Sequence, residues 1–104
     1  MCERVFQIVM KVPLGERPGR ISWAEDGADV SGFFEIMGHK NPFSGQISAE
    51  KIIRIEGTLV TLIRNIPFTA EGRVENGHLK MSLTEIRHTY SLEGVEITNN
   101  EEIL

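Results

Sequence analysis

Residues 65–83, NIPFTAEGRVENGHLKMSL, decide the fold of this chain. Ile66, Phe68, Ala70, Gly72 and Val74 alternate there with Asn65, Pro67, Thr69, Glu71, Arg73 and Glu75. A period of two puts the first set on one face of an extended strand and the second on the other. Asn76-Gly77 follows. A type I′ turn needs positive φ at both central residues, and Asn-Gly tolerates that with least strain. Leu79, Met81 and Leu83 then resume the alternation in phase. The segment reads as a β-hairpin with one apolar and one polar face.

The same period extends outward in both directions. Phe6, Ile8, Met10 and Val12 share a face, as do Ile21 and Trp23. Val30, Gly32, Phe34 and Ile36 alternate with Asp29, Ser31 and Glu35. In 51–64, Glu56-Gly57 could turn a hairpin. The phase does not break there, which favours one long bent strand with Ile53, Ile55, Gly57, Leu59 and Ile63 on one face. His88, Tyr90, Leu92 and Gly94 form the last apolar-face set; Val95 and Ile97 then break the phase, as a bulge would. Loops are expected at 13–19, rich in proline and glycine, and at 38–45, GHKNPFSG. Turns are expected at 25–28, 64–65 and 84–87, a single helical turn can form at 48–53, and 98–104 reads as a flexible polar tail.

The total is about eight short-connected strands. Parallel pairing needs crossovers of about a dozen residues, and the chain has no room for them. The expected fold is all-β: a small antiparallel meander barrel, with a two-sheet β-sandwich as the alternative. An apolar sheet face without a helix to cover it must close or fold over.

Closure is favoured by the inward-register glycines Gly32, Gly57, Gly72 and Gly94. They either bend strands at corners or hollow out a small cavity, and the bending reading is preferred. Three sit in similar tripeptides, Ile55-Glu56-Gly57, Ala70-Glu71-Gly72 and Leu92-Glu93-Gly94. A sparse echo at a spacing of 25 matches Gly32, Phe34, Pro42, Phe43 and Ser44 to Gly57, Leu59, Pro67, Phe68 and Thr69. The architecture resembles that of small lipocalin-like and streptavidin-like meander barrels. That resemblance is one of architecture; those families' binding motifs are absent, and no residue role carries over.

Composition narrows the function classes. The 104 residues fit one domain, 1–104, and 40% apolar with 25% charged residues is too apolar for disorder. A net charge of −4 with scattered signs lacks the basic stripe that nucleic acid requires. Lys51, Arg54 and Arg64 stand among Glu50 and Glu56 and read as a solvated face. The lone Cys2 can form neither an internal disulfide nor a cysteine zinc site. No apolar run reaches the length of a membrane span, and the start shows no leader pattern. The expectation is a complete, cytoplasmic chain without membrane contact.

Candidate chemistry is sparse. His88 falls on the inward register beside Tyr90, where an imidazole could orient a polar ligand or act as a base. His78 reads as outward, and His39 as part of the 38–45 loop. The three histidines lack metal-ligand spacing, so neither metal nor cofactor is expected. Glu25-Asp26 reads as a solvated turn pair. Trp23 and Tyr90 could bracket a ligand or simply fill the core. The leading expectation is a non-enzymatic binding protein whose barrel mouth, lined by Trp23, Phe34, His88 and Tyr90, takes a small, partly apolar molecule. The alternative is an interaction module with a filled core. It would be a homodimer joined through an outward patch of Phe33, Met37, Val60 and Leu62. An enzyme with His88 as base comes third.

Overall fold

The computed structural model describes residues 2–13, 15–36, 38–60, 63 and 65–97. Its elements are β1 (Cys2–Val12), β2 (Gly15–Asp26), β3 (Asp29–Ile36), β4 (His39–Ile47), β5 (Ile52–Val60), β6 (Asn65–Glu75), β7 (His78–Glu85) and β8 (Thr89–Glu96). Each strand pairs antiparallel with the next, and β8 returns to β1 with Phe6 opposite Glu96 and Lys11 opposite Ser91. The fold is a closed eight-stranded antiparallel barrel, and this closure rules out the sandwich. No helix occurs among the described residues.

The meander gives the barrel two unlike ends. One, the terminal end, carries the start of β1, the end of β8 and the β2–β3, β4–β5 and β6–β7 connections. The far end carries the β1–β2, β3–β4, β5–β6 and β7–β8 connections. Between them the inward residues make one core, in which Phe6, Ile8, Ile21, Phe34, Leu79, Leu83 and Leu92 are fully buried.

The glycines work as corners. A Cβ on Gly32 would lie 1.9 Å from the Ser22 carbonyl oxygen, and one on Gly45 1.9 Å from that of Arg54. Gly57 and Gly72 approach the carbonyls of Pro42 and Lys80 almost as closely. A side chain at these points would drive the paired strands apart, so the glycines serve close approach and bending. The echo at 25 residues also acquires a meaning. Gly32 pairs with Phe43 across β3–β4, and Gly57 with Phe68 across β5–β6. Two successive hairpins thus set a corner glycine opposite a phenylalanine that covers it. At the β6–β7 hairpin Asn76 and Gly77 have φ of 52° and 78°, as a type I′ turn demands.

Several expected loops are strand. β2 begins at Gly15, where 13–19 was expected to be irregular, and β4 occupies most of 38–45. Proline misled the reading in both. Pro18 lies beyond the end of the β2–β3 register at Gly19, and Pro42 beyond the end of the β4–β5 register at Phe43. Each sits where its strand has a flank outside the ladder, the setting in which a strand tolerates a residue without an N–H.

β5 does run unbroken through Gly57, but Ile63 is not on its inner face: it is 92% exposed beyond the strand end. The turn expected at 64–65 is not formed by Asn65, which opens β6; Arg64 lies outside the described residues. The bulge after Gly94 is absent. β8 keeps its register with β1 and β7, and Val95 simply points outward, 54% exposed. Residues 48–51 make a turn instead of a helical one, with Lys51 at a φ of 68° and the Ile52 N–H donating to Ser48 Oγ at 3.2 Å. The expected tail, 98–104, lies outside the described residues.

Candidate functional site

The inward register of the terminal end finishes in charge. Arg4 continues the face of Phe6, Ile8 and Met10; Glu25 continues that of Ile21 and Trp23; Glu96 continues that of Leu92 and Gly94. Arg4 donates from Nε to Glu96 Oε2 at 2.9 Å and from Nη2 to Oε1 at 2.8 Å, a two-pronged pair. Its Nη1 stands 3.9 Å from Glu25 Oε2, the oxygen that accepts the Trp23 Nε1–H at 2.9 Å. Below this layer the Arg4 guanidinium lies 5.5 Å from the centre of the Phe6 ring, which stacks on Trp23 at 5.0 Å. The hydrogen bonds from Arg4 hold the Glu96 carboxyl below the usual carboxylate range; burial opposes the shift, and the arginine charge adds to it. A polar network therefore covers the β8–β1–β2 side of the terminal end.

The far end is built differently. Asn41, 1% exposed, donates from Nδ2 to the Phe34 carbonyl at 2.7 Å and accepts the Val60 N–H on Oδ1 at 2.6 Å. Its amide ties β5 to β4 beyond the end of their backbone register at Phe43. Above it Val12, Leu59 and Tyr90 are only partly buried, though each packs on the core. Burial pushes the Tyr90 phenol above its ordinary range, and the charge of Glu85 adds to the push. Glu85 Oε1 accepts the backbone N–H groups of Arg87 at 2.7 Å and His88 at 2.6 Å, which fixes the β7–β8 turn.

The four expected mouth residues do not share one mouth. Trp23 is 3% exposed and belongs to the terminal end. Phe34 is 1% exposed and meets Phe68 edge-on at 6.4 Å, as core. His88 and Tyr90 do come together, with ring centres 5.8 Å apart. His88, however, precedes β8 in the turn and is exposed, so it does not face the barrel interior. Glu25 is likewise no solvated turn residue: it is half-buried under Arg4 and Trp23.

The expected dimer patch also comes apart. β3 and β5 are not neighbours, because β4 lies between them. Phe33 is 46% exposed, with Lys40 Nζ 5.4 Å from its ring centre; Val60 is partly buried, and Met37 and Leu62 lie outside the described residues. The outer wall has broad concavities. One of about 740 Å³ lies over β1, β2, β7 and β8, between Lys11, Arg20 and Lys80. Another of about 1000 Å³ crosses β2 to β6 beside Gln46 and Arg54. Among the described residues no three His, Cys, Asp or Glu side chains are grouped to hold a metal ion.

This geometry is that of known barrels. The fold is similar to a redesigned β-barrel, mFAP0, bound to DFHBI, with a TM-score of 0.62 and 14% identity over 90% of this chain and 95% of that one. A second redesigned β-barrel, mFAP1, also bound to DFHBI, matches with a TM-score of 0.62 at 15% identity, over 90% of this chain and 92% of its own. No family model and no curated protein matches the sequence.

Arg4, Asn41 and Glu96 were missed as organising residues. Arg4 could have been found, since it keeps the even-numbered parity of Phe6, Ile8 and Met10. Asn41 was hidden by the adjacent Pro42, and Glu96 by the supposed slip after Gly94.

Proposed function

We propose that this protein is a non-enzymatic binding barrel that takes a small, partly apolar molecule at its far end. The observation that carries the reading is the contrast between the ends. Partly buried apolar side chains pack on the core at both ends, Ile47 and Val74 at the terminal end and Val12, Leu59 and Tyr90 at the far end. The terminal end, however, carries the Arg4, Glu96, Glu25 and Trp23 layer over its β8–β1–β2 side, and the far-end group includes the Tyr90 phenol. Apolar surface with one polar handle is the usual composition of a small-molecule site, and Tyr90 supplies that handle. The similar barrels bound to DFHBI support the reading, since they are of nearly the same extent. Phe34, buried in the core near the far end of β3, lies beneath this site as part of its floor. The site needs no cofactor, and the protein works in the cytoplasm.

Native mass spectrometry of freshly purified protein tests the proposal. A mass excess that is lost on denaturation, and that is absent from Tyr90→Ala, supports it. Failure to retain any small molecule, together with no fluorescence enhancement of anilinonaphthalene sulfonate, refutes it. The filled core favours a second reading, an interaction module, and a clean dimer without mass excess would point there.

A further inference from the structure

Two arginines among the described residues fall on the inner register of the barrel, one at each end. Arg4 belongs to the terminal end, where Glu96 and Glu25 meet its charge. Arg17 is its counterpart at the far end. It lies near the start of β2, on the face of Gly19, Ile21 and Trp23, and stands opposite the buried Met10 of β1. Its neighbours Glu16 and Pro18 are exposed while Arg17 is partly buried, as an inward position requires. The guanidinium donates from Nη1 to the Glu16 carbonyl at 3.1 Å. No carboxylate among the described residues pairs with it.

The described carboxylates of the far end are placed elsewhere. Glu16 is exposed on the outer face opposite Lys11, and Glu35, also outward, pairs with Lys40 at 3.9 Å. Glu85 keeps the inward register of β7, but its Oε1 accepts the Arg87 and His88 N–H groups, and β8 and β1 lie between it and β2. The space beside Arg17 is open. Gly15 continues its face toward the rim, opposite Val12, and a Cβ there would meet only Arg17 Nη1, at 4.0 Å. On the other flank of β1, Leu92 is opposite Met10, and Tyr90 precedes it on the same face. Arg17 and Tyr90 thus flank the Met10 and Val12 end of β1, a cation on one side and a phenol on the other.

We propose that the molecule held at the far end is a small apolar acid, its carboxylate met by the Arg17 guanidinium and its apolar body lying over Val12 and Leu59. The inference rests on the binding function proposed for that end and names the class of ligand. A planar guanidinium presents paired N–H donors in the geometry a carboxylate accepts, as Arg4 and Glu96 do at the other end. Covering a charge that has no counter-ion is costly. A neutral ligand would bury Arg17 at a loss, whereas an anionic one would satisfy it. The chain as a whole carries a net charge of −4 and does not attract acids, so the preference comes from this local cation.

Competition against N-phenyl-1-naphthylamine, a neutral probe that brightens in apolar surroundings, tests it with decanoate and decanol as a matched pair. Probe binding reads the mouth, and the difference between the competitors reads the charge. Unspecific apolar binding favours the alcohol, because the carboxylate is costlier to desolvate. The unaltered protein should instead prefer decanoate by about tenfold or more. Arg17→Met should abolish that preference and leave probe and decanol binding as they were, while Arg17→Lys should keep part of it. Arg17→Gln gives the same reading should the methionine variant fail to fold. Lys11→Met, which removes an outward charge on the neighbouring strand, should leave the preference intact. The inference is overturned if decanoate competes no better than decanol, or if the preference survives the loss of Arg17. Probe binding without that preference overturns this inference alone. No brightening of the probe, with none of anilinonaphthalene sulfonate either, overturns the binding function and this inference with it.

Discussion

Arg4 and Glu96, 92 residues apart in sequence, meet in a two-pronged ion pair that joins the start of β1 to the end of β8. It stands where the barrel closes, beside the Phe6–Glu96 backbone register. Both side chains are about three-quarters covered, at 28% and 26% exposure, so the pair is less screened than one fully in water.

The pair should make stability acid-sensitive. The Glu96 carboxyl is held below its ordinary range in the folded state, so its contribution is present at neutral pH and is lost as pH falls through that lowered value. Arg4→Met should cost about 1–2 kcal/mol at pH 7 and flatten the acid limb of a melting-temperature profile. An unchanged acid limb in Arg4→Met would show that the pair is not the source.

Asn41 should be the most costly polar residue to remove. Asn41→Ala leaves the Val60 N–H and the Phe34 carbonyl without their side-chain partner. A loss of about 2–4 kcal/mol is expected in urea unfolding. Gln46→Ala, which removes only an exposed bond to Asp29, should stay within about 0.5 kcal/mol.

Gly32→Ala and Gly45→Ala should each cost more than about 3 kcal/mol or abolish folding, because the new Cβ would occupy the space of a neighbouring carbonyl. Gly27→Ala meets nothing within 4 Å and has only its φ of +62° against it. It should cost about 1–2 kcal/mol. Circular dichroism melts of the three variants would separate close approach from turn strain.

Tyr90 should report its own surroundings, since it is the chain's single tyrosine. Its folded-state phenol titrates above the usual value, so it contributes stability below that value and loses it as pH rises through the shifted one. Ultraviolet titration of the phenolate should show the upward shift and its disappearance in urea. Tyr90→Phe should remove that part of the alkaline loss of stability.

Much of this fold was legible because strand periodicity is local. The alternation in 65–83 and the Asn76-Gly77 turn need only neighbouring residues to specify them. The lack of any helix to cover the apolar face forced the sheet to close or fold over. The inward glycines were visible as corners for the same reason, though Gly45 was passed over inside a supposed loop. Proline was the weak point. Pro18 and Pro42 break a strand only where their missing N–H would join a ladder, and whether a flank is paired depends on strands distant in sequence.

The sequence by itself determined which side chains turn inward, because that depends on parity along one strand. Tertiary structure decided which end of the barrel each one reaches. Trp23 and Tyr90 share the inner face on strands that both run from the far end to the terminal end, yet they lie toward opposite ends because Trp23 comes near the close of β2 and Tyr90 near the start of β8. The Arg4–Glu96 pair, the Asn41 amide between β4 and β5, and the gathering of Ile63 and Ile86 at one rim arise the same way. Each joins residues that only closure and register bring to one place.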